Sequence, residues 1–262
     1  IPARTTVKGM TETQLVRHEA VQGISTITLD SQHNRNALSR QLLDELHFAL
    51  DEAEANDARA IILRHEGPAF CAGADLKERS SGPPDSGPMV TALERLMDTP
   101  RPTIAAVNGA VRAGGLGLMA SCDLIVVDHS VTFALTEVRI GVAAAIISVP
   151  ILRRVPPGKI AAAMLTGEVF TAADARDMGL ITHVTEDVSA TVNGLIDGIL
   201  AGAPRAVTAT KAMLRRVSTL DRETGFTEMR ALSEELFSGP DAAEGMAAFI
   251  EKRLPAWNPA AK

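Results

Sequence analysis

Two stretches of small residues constrain this chain more than any other feature. Ala69-Phe70-Cys71-Ala72-Gly73-Ala74-Asp75-Leu76-Lys77 follows a strand-like run over residues 60–63. It opens on small side chains and closes on residues suited to a helix start. The stretch from Ala105 to Gly117 repeats the pattern: an apolar strand runs into Asn108-Gly109, then Gly114-Gly115, then an apolar helix. Small side chains let a ligand approach the backbone, and a helix start leaves N–H donors unused. Two such N–H groups converging on one oxygen make an oxyanion hole. The rest of the chain is the frame that brings these turns together.

Residues 24–29 alternate, with Ile27 and Leu29 on one face and Thr26 and Thr28 on the other, the pattern of a half-buried strand. Ser39 can cap a helix carrying Leu43, Leu46, Leu50 and Ala53 at helical spacing. Residues 90–97 read as a helix. Short apolar runs at 103–107, 124–127 and 131–134 read as strands, with residues 116–121 helical between the first two. Residues 159–165 read as a helix ending at Thr166-Gly167. Thr171 can cap another, stopped by Gly179. Residues 80–88, Ser-Ser-Gly-Pro-Pro-Asp-Ser-Gly-Pro, cannot be regular structure. They predict either a flap beside a pocket or a solvated connector. From residue 188 onward the chain is nearly all helical in pattern, over 190–200, 204–217, 222–236 and 241–253. Strand units followed by a helical tail predict a mixed α/β core, residues 15–187, with a helical C-terminal region, residues 188–262.

Composition narrows the function. Lys plus Arg is 26 and Asp plus Glu is 32, a formal charge of −6. That balance, with no long basic run, speaks against nucleic acid as the main partner, so an anionic ligand needs a local cluster of cations. Cys71 and Cys122 are far apart and form neither a metal-ligand cluster nor a disulfide framework, which points to a reduced, cytoplasmic compartment. No apolar run approaches the length of a membrane span. Residues 1–9 are basic without an apolar core, so Met10 reads as the natural start and residues 1–14 as a disordered extension. A mitochondrial transit peptide is the rival reading of that segment.

The two turns resemble those of the crotonase superfamily, the enoyl-CoA hydratase/isomerase family. The resemblance rests on five ordered motifs between Val16 and Arg253. These are Phe70 to Lys77; Ala106-Val107-Asn108-Gly109 through Gly114-Gly115 to Cys122-Asp123; Phe133 to Gly141; Leu165-Thr166-Gly167; and Glu244 to Arg253. The resemblance implies an α/β fold, a crotonase-like superhelix of ββα units with a helical C-terminal trimerisation region, assembled as a homotrimer or a hexamer made of two trimers. It implies that the N–H groups of Ala74 and Gly114 hold the thioester oxygen of an acyl-CoA. It also implies contacts to coenzyme A from Arg35, Ala37, Ala72, Asp75, Leu76 and Lys77, and from Phe249 and Lys252 at the adenine end, in some members supplied by a neighbouring subunit. Taken singly, each of those cations would pass as a surface charge and Phe249 as a core residue. No metal or redox cofactor is implied; coenzyme A arrives as part of the substrate.

Family hydratases usually carry two glutamates beside the bound double bond, able to share the activation of water and the delivery of a proton. Glu137 matches one of them, and the other falls at Gly117, which has no side chain. That pattern is similar to Δ3,Δ2-enoyl-CoA isomerases and to some branched-chain hydratases. Glu137, a surface carboxylate if read alone, is therefore predicted to be the general acid/base, partly buried, with its pKa raised by desolvation. The segment Gly141 to Ser148 carries no acid, which disfavours carboxylate-nucleophile chemistry; Ser148 reads as a packed serine or a water-orienting group. Arg112 reads as an ion-pair partner at a subunit contact or as a reader of a second substrate carboxylate. The resulting expectation is hydration of a 2-enoyl-CoA through one glutamate. Double-bond isomerisation, a methylglutaconyl-type branched hydratase and a non-catalytic acyl-CoA-binding paralogue are the alternatives.

Overall fold

A computed structural model describes residues 13–79 and 85–261. The expected N-terminal extension up to residue 12, and residues 80–84 of the expected flap, lie outside the described residues. The chain begins with the hairpin β1 (Val16–Val21) and β2 (Ile24–Leu29). Gln22 and Gly23 at its tip both have positive φ, 50° and 80°, the geometry that matches the twist of a two-residue hairpin. Helix α1 (Arg40–Ala55) follows, with the Ser39 hydroxyl accepting from the Leu42 N–H and Leu42, Leu46, Leu50 and Ala53 on its buried stripe.

Three strand–strand–helix units come next. In the first, β3 (Ala60–His65) leads into β4 (Ala69–Cys71), followed by α2 (Leu76–Arg79) and α3 (Gly87–Asp98). The second consists of β5 (Thr103–Val107), β6 (Ala110–Arg112) and α4 (Gly114–Ala120). The third consists of β7 (Leu124–Asp128), β8 (Thr132–Ala134), a 3-10 turn over Glu137–Ile140 and α5 (Ala145–Leu152). After these run α6 (Pro157–Thr166), β9 (Val169–Thr171), α7 (Ala172–Met178), β10 (His183–Thr185), α8 (Val188–Ala201), α9 (Pro204–Arg216), α10 (Arg222–Phe237) and α11 (Pro240–Glu251). Thr171 forms a full capping box with Asp174, and Gly179 ends α7 in the left-handed conformation.

The first strand of each unit joins a six-stranded sheet of order β1-β2-β3-β5-β7-β10, parallel except for the hairpin. The second strand joins a four-stranded sheet of order β4-β6-β8-β9, in which β4, β6 and β8 are parallel. The main core lies between these layers and their helices, around fully buried Phe70, Leu116 and Phe133, with Phe133 stacked on Phe170 at 5.3 Å. A second cluster forms on the other face of the large sheet, where Val188, Val192 and Ile196 of α8 cover Ala60, Ile104, Ala106 and Val126.

Two local expectations are corrected. Strand β2 is more than half-buried: Thr26 is partly accessible as expected, but Thr28 on the same face is as inaccessible as Ile27 and Leu29. On the threonine face Ile24 packs against the cluster under α8 and the Thr28 hydroxyl accepts from Arg64 of β3, while Ser25, on the Ile27 face, is paired with His18 of β1. Gly87 and Pro88 are not loop but the opening of α3, where a proline's missing N–H costs nothing. The helical tail is tied to the core by charge. Lys211 of α9, 7% exposed in its side chain, meets Asp123 at 2.7 Å and the Arg101 carbonyl at 2.8 Å, while Asp123 also accepts from the Thr103 N–H and from Arg215. Among the described residues no helix is long and apolar enough to cross a membrane.

Candidate active site

Strands β4, β6 and β8 are parallel neighbours, so their C-terminal ends emerge about 4.8 Å apart on one edge of the small sheet. The segment leaving β4 carries Ala74, the one leaving β6 carries Gly114, and the one leaving β8 carries Glu137. Repetition of a single unit thus places two backbone turns and a carboxylate side by side, at the strand ends where open parallel sheets present ligand sites.

The first turn is held from behind by the segment preceding α1. The Ala72 N–H donates to the Arg35 carbonyl, the Leu38 N–H to the Gly73 carbonyl at 2.7 Å, and the Asp75 N–H to the Leu38 carbonyl. Gly73 has φ +93°, and a β-carbon there would lie 2.8 Å from the Ala113 β-carbon and 3.5 Å from the Gly114 nitrogen. The two turns are therefore in contact, and only glycine permits it. Gly115 meets Cys71 just as closely, since an added β-carbon would sit 2.9 Å from the Cys71 carbonyl oxygen. Ala113, with φ 47° and ψ −121°, occupies a region normally reserved for glycine. The N–H groups of Ala74 and Gly114 have no acceptor among the described residues. Two unused donors on touching turns can hold one oxygen that gains negative charge.

Glu137 lies half-buried at the start of its 3-10 turn, and its Oε2 is buried with no hydrogen-bond partner among the described residues. Desolvation raises its pKa above the usual carboxylate value, opposed only by its own N–H, as the sequence predicts. A carboxyl whose proton affinity is raised in this way can serve as a proton donor and acceptor. At Gly117 the space for a side chain is filled: an added β-carbon would lie 2.3 Å from the Cγ2 of Ile147, itself buried on α5.

The remaining predicted positions divide into two groups. Arg35, Ala37, Ala72, Asp75, Leu76 and Lys77 lie around the first turn. Arg35 is exposed, left-handed at φ 58°, and its guanidinium has no partner among the described residues. Ala37 is buried. Asp75 caps α2 by accepting from the N–H groups of Lys77 and Glu78, and it also accepts from Asn34. Leu76 and Lys77 are exposed on α2. Phe249 and Lys252 sit on or at the end of α11, which packs on α10; among the described residues no hydrogen bond or ion pair ties them to the turns. Phe249 is 86% exposed, so it is not the core residue a lone reading would suggest. Arg112 makes no ion pair among the described residues; its guanidinium folds onto the Val111 and Thr132 carbonyls and the Thr132 hydroxyl, held in the sheet. The Ser148 hydroxyl is spent on the Ala145 carbonyl. Burial pushes both cysteine thiols up to about 12 and keeps them neutral.

Sequence reasoning passed over two residues. Burial lowers the pKa of His65, its Nε2 accepts from the Asn108 N–H, and it abuts the space over Gly109, fixing the crossing from β5 to β6. In sequence Ile147 is one apolar residue among many, because nothing in a linear pattern shows that it faces Gly117.

Comparison with known proteins agrees with this architecture. The family model described as Enoyl-CoA hydratase/isomerase matches residues 19–260. A crystal structure of an enoyl-CoA hydratase from Mycobacterium smegmatis superposes with TM-score 0.87 at 30% identity, covering 93% of this chain and 98% of that one. Enoyl-CoA hydratase EchA19 of Mycobacterium tuberculosis is 34% identical over 245 residues, 87% of this chain and 91% of that protein. Mitochondrial methylglutaconyl-CoA hydratase of Mus musculus is 32% identical over 262 residues, 94% of this chain and 83% of that protein. The fold is that of the crotonase superfamily. Within it, the chain belongs to the enoyl-CoA hydratase/isomerase family.

Proposed function

We propose that this protein hydrates 2-enoyl-CoA thioesters with Glu137 as its single acid/base. The observation that carries the reading is the contact of the two turns, each with an unused N–H, beside a carboxyl oxygen that is buried and unpaired. The thioester oxygen accepts from the Ala74 and Gly114 N–H groups. As water adds at C3, Glu137 takes its proton, the C2–C3 π electrons move toward the thioester, and the two N–H groups stabilise the enolate oxygen. Glu137 then returns a proton to C2, and the carbonyl re-forms. Arg35 and Lys77 supply positive charge for the nucleotide phosphates. Phe249 and Lys252 reach the adenine end from a neighbouring copy. The exposed apolar side chains of α10 and α11, Phe226, Phe237, Phe249 and Ile250, support such self-association into trimers or hexamers. The sequence likeness to proteins named as hydratases, one of them a methylglutaconyl-CoA hydratase, supports hydration.

A second reading has its own support. Ile147 fills the space over Gly117, so the position of the family's second glutamate is closed as well as vacant. A double-bond shift needs only one base, which removes a proton from C2 of a 3-enoyl-CoA and delivers it to C4.

The test follows loss of the conjugated thioester from crotonyl-CoA and its appearance from 3-hexenoyl-CoA. Glu137→Gln should lower the operative rate by about 10²–10⁴-fold. Glu137-dependent loss of crotonyl-CoA supports the hydratase; gain from 3-hexenoyl-CoA alone supports the isomerase. Full activity of Glu137→Gln on both substrates, and on branched acyl-CoAs, would overturn both. Tight coenzyme A binding without turnover would instead favour a binding protein.

A further inference from the structure

The turn that carries Glu137 is poorly held for a segment that must aim a carboxyl group. Residues 138–143 are all exposed. Its backbone bonds are local: the Arg139 N–H donates to the Thr136 carbonyl, Gly141 to Val138, and Val142 to Glu137. Exposed segments with few buried contacts open readily, so something beyond the turn must fix it. The element packed against it is α6. At that contact the Arg139 Nε donates to the Thr166 carbonyl at 2.8 Å. A β-carbon added at Gly167 would lie 2.8 Å from the same Nε and 3.2 Å from Cδ and Cγ of Arg139. The arginine stem therefore lies flat across Gly167, which has φ +69° and ends α6.

We infer that Arg139, seated on Gly167 and bonded to the Thr166 carbonyl, is the positioning residue that holds Glu137 in its half-buried place. The inference deepens the proposed function, since it rests on Glu137 being the acid/base. Gly167 serves two needs at once. It takes the left-handed end of α6, and it leaves the groove in which the arginine stem lies. No other side-chain hydrogen bond from the turn reaches a distant element among the described residues. Loss of the latch frees the turn toward solvent, and the carboxyl group regains hydration. The desolvation that raises the Glu137 pKa is then relieved.

The experiment reads that ionisation directly. Glutamate is labelled with ¹³C at the carboxyl carbon, and Glu137→Gln assigns the resonance by its disappearance. The full chain is titrated as wild type, Arg139→Ala, Arg139→Lys and Gly167→Ala. Arg139→Ala and Gly167→Ala should both move the Glu137 midpoint down toward the ordinary carboxylate value, and Arg139→Lys, which can still donate to the Thr166 carbonyl, should move it less. Gly167→Ala keeps the arginine charge, so a shift there reports displacement and not lost Coulomb interaction. On the active substrate, kcat should fall about tenfold or more in both variants while KM changes less than threefold. An unmoved Glu137 midpoint in both, with or without lower thermal stability, overturns the latch. The titration needs no turnover, so it remains decisive even if Glu137→Gln shows that the enzymatic reading fails.

Discussion

The paired turns and the Glu137 turn stand on the same sheet edge but are built in opposite ways. At Ala72–Asp75 and Ala113–Gly115 the backbone is clamped by backbone: Arg35, Leu38, Cys71 and Ala134 supply the partners, and glycines sit where a single methyl would collide. At residues 137–143 the backbone is exposed and one side chain links it to α6. The difference suits the roles proposed for each part. An oxyanion hole is useful only if its donors are fixed before the charge develops, because reorganisation during the reaction would cost what the hole gives. A carboxyl group that moves a proton between substrate positions needs a desolvated place, and a small range of motion does not remove its proton affinity.

The strongest way to break this contrast is to put a methyl into the clamped region. Gly73→Ala combines a positive φ with a collision against Ala113. Overpacking of this kind should lower stability by about 1–3 kcal/mol. Displacement of one donor should lower kcat/KM by about 10²-fold. Ile140→Ala, in the exposed turn, should change stability by less than about 0.5 kcal/mol. Denaturant midpoints for the two variants check the first claim, and steady-state rates check the second. Equal destabilisation by both would show that the two regions are packed alike.

Much of this arrangement is legible in the sequence, and the missing parts share a physical reason. Gly73, Gly114 and Glu137 stand out because their neighbours in sequence carry the motif. Ser39, Thr171 and Gly179 declare helix ends through local chemistry. Strands β4, β6, β9 and β10 are each three residues long, too short to show a period of two. Thr28 is buried against Arg64 of the neighbouring strand β3, which its own alternation cannot reveal. Ile147 over Gly117, Arg139 over Gly167 and His65 beside Gly109 are contacts between a glycine and a residue distant in the chain. The sequence marks the glycine and leaves its visitor unnamed.

The Glu137 turn gives a smaller, pH-dependent effect that sharpens the same contrast. Its folded pKa is raised, so the folded chain keeps this proton at pH values where the unfolded chain has released it. The stabilisation tied to that proton is complete below the unfolded value of 4.5 and is lost as pH rises through the folded value. Glu137→Gln removes the dependence. Denaturant midpoints measured from about pH 4 to about pH 7 should fall more steeply for wild type than for Glu137→Gln. The Cys71 thiol behind the clamped turns, pushed up to about 12 by burial, stays neutral throughout that range.

A modest effect at Ala113 is the most discriminating for the clamped region. Ala113 sits at φ 47° and ψ −121°, a conformation that costs a residue with a β-carbon about 1–3 kcal/mol. Ala113→Gly removes that strain but adds about 0.4–1 kcal/mol of unfolded-state entropy. The net expectation is a gain of about 1 kcal/mol in denaturant unfolding, the difference of those two terms. The rate should not rise with it. The Ala113 methyl is the atom that a β-carbon on Gly73 would strike, so it closes the contact between the two turns, and its loss lets the donors drift. A stability gain paired with a rate loss of a few-fold would show that the strain serves the donor geometry. A stability loss would show that the methyl's packing against Gly73 outweighs the strain, and that the clamp is held by contact more than by backbone conformation.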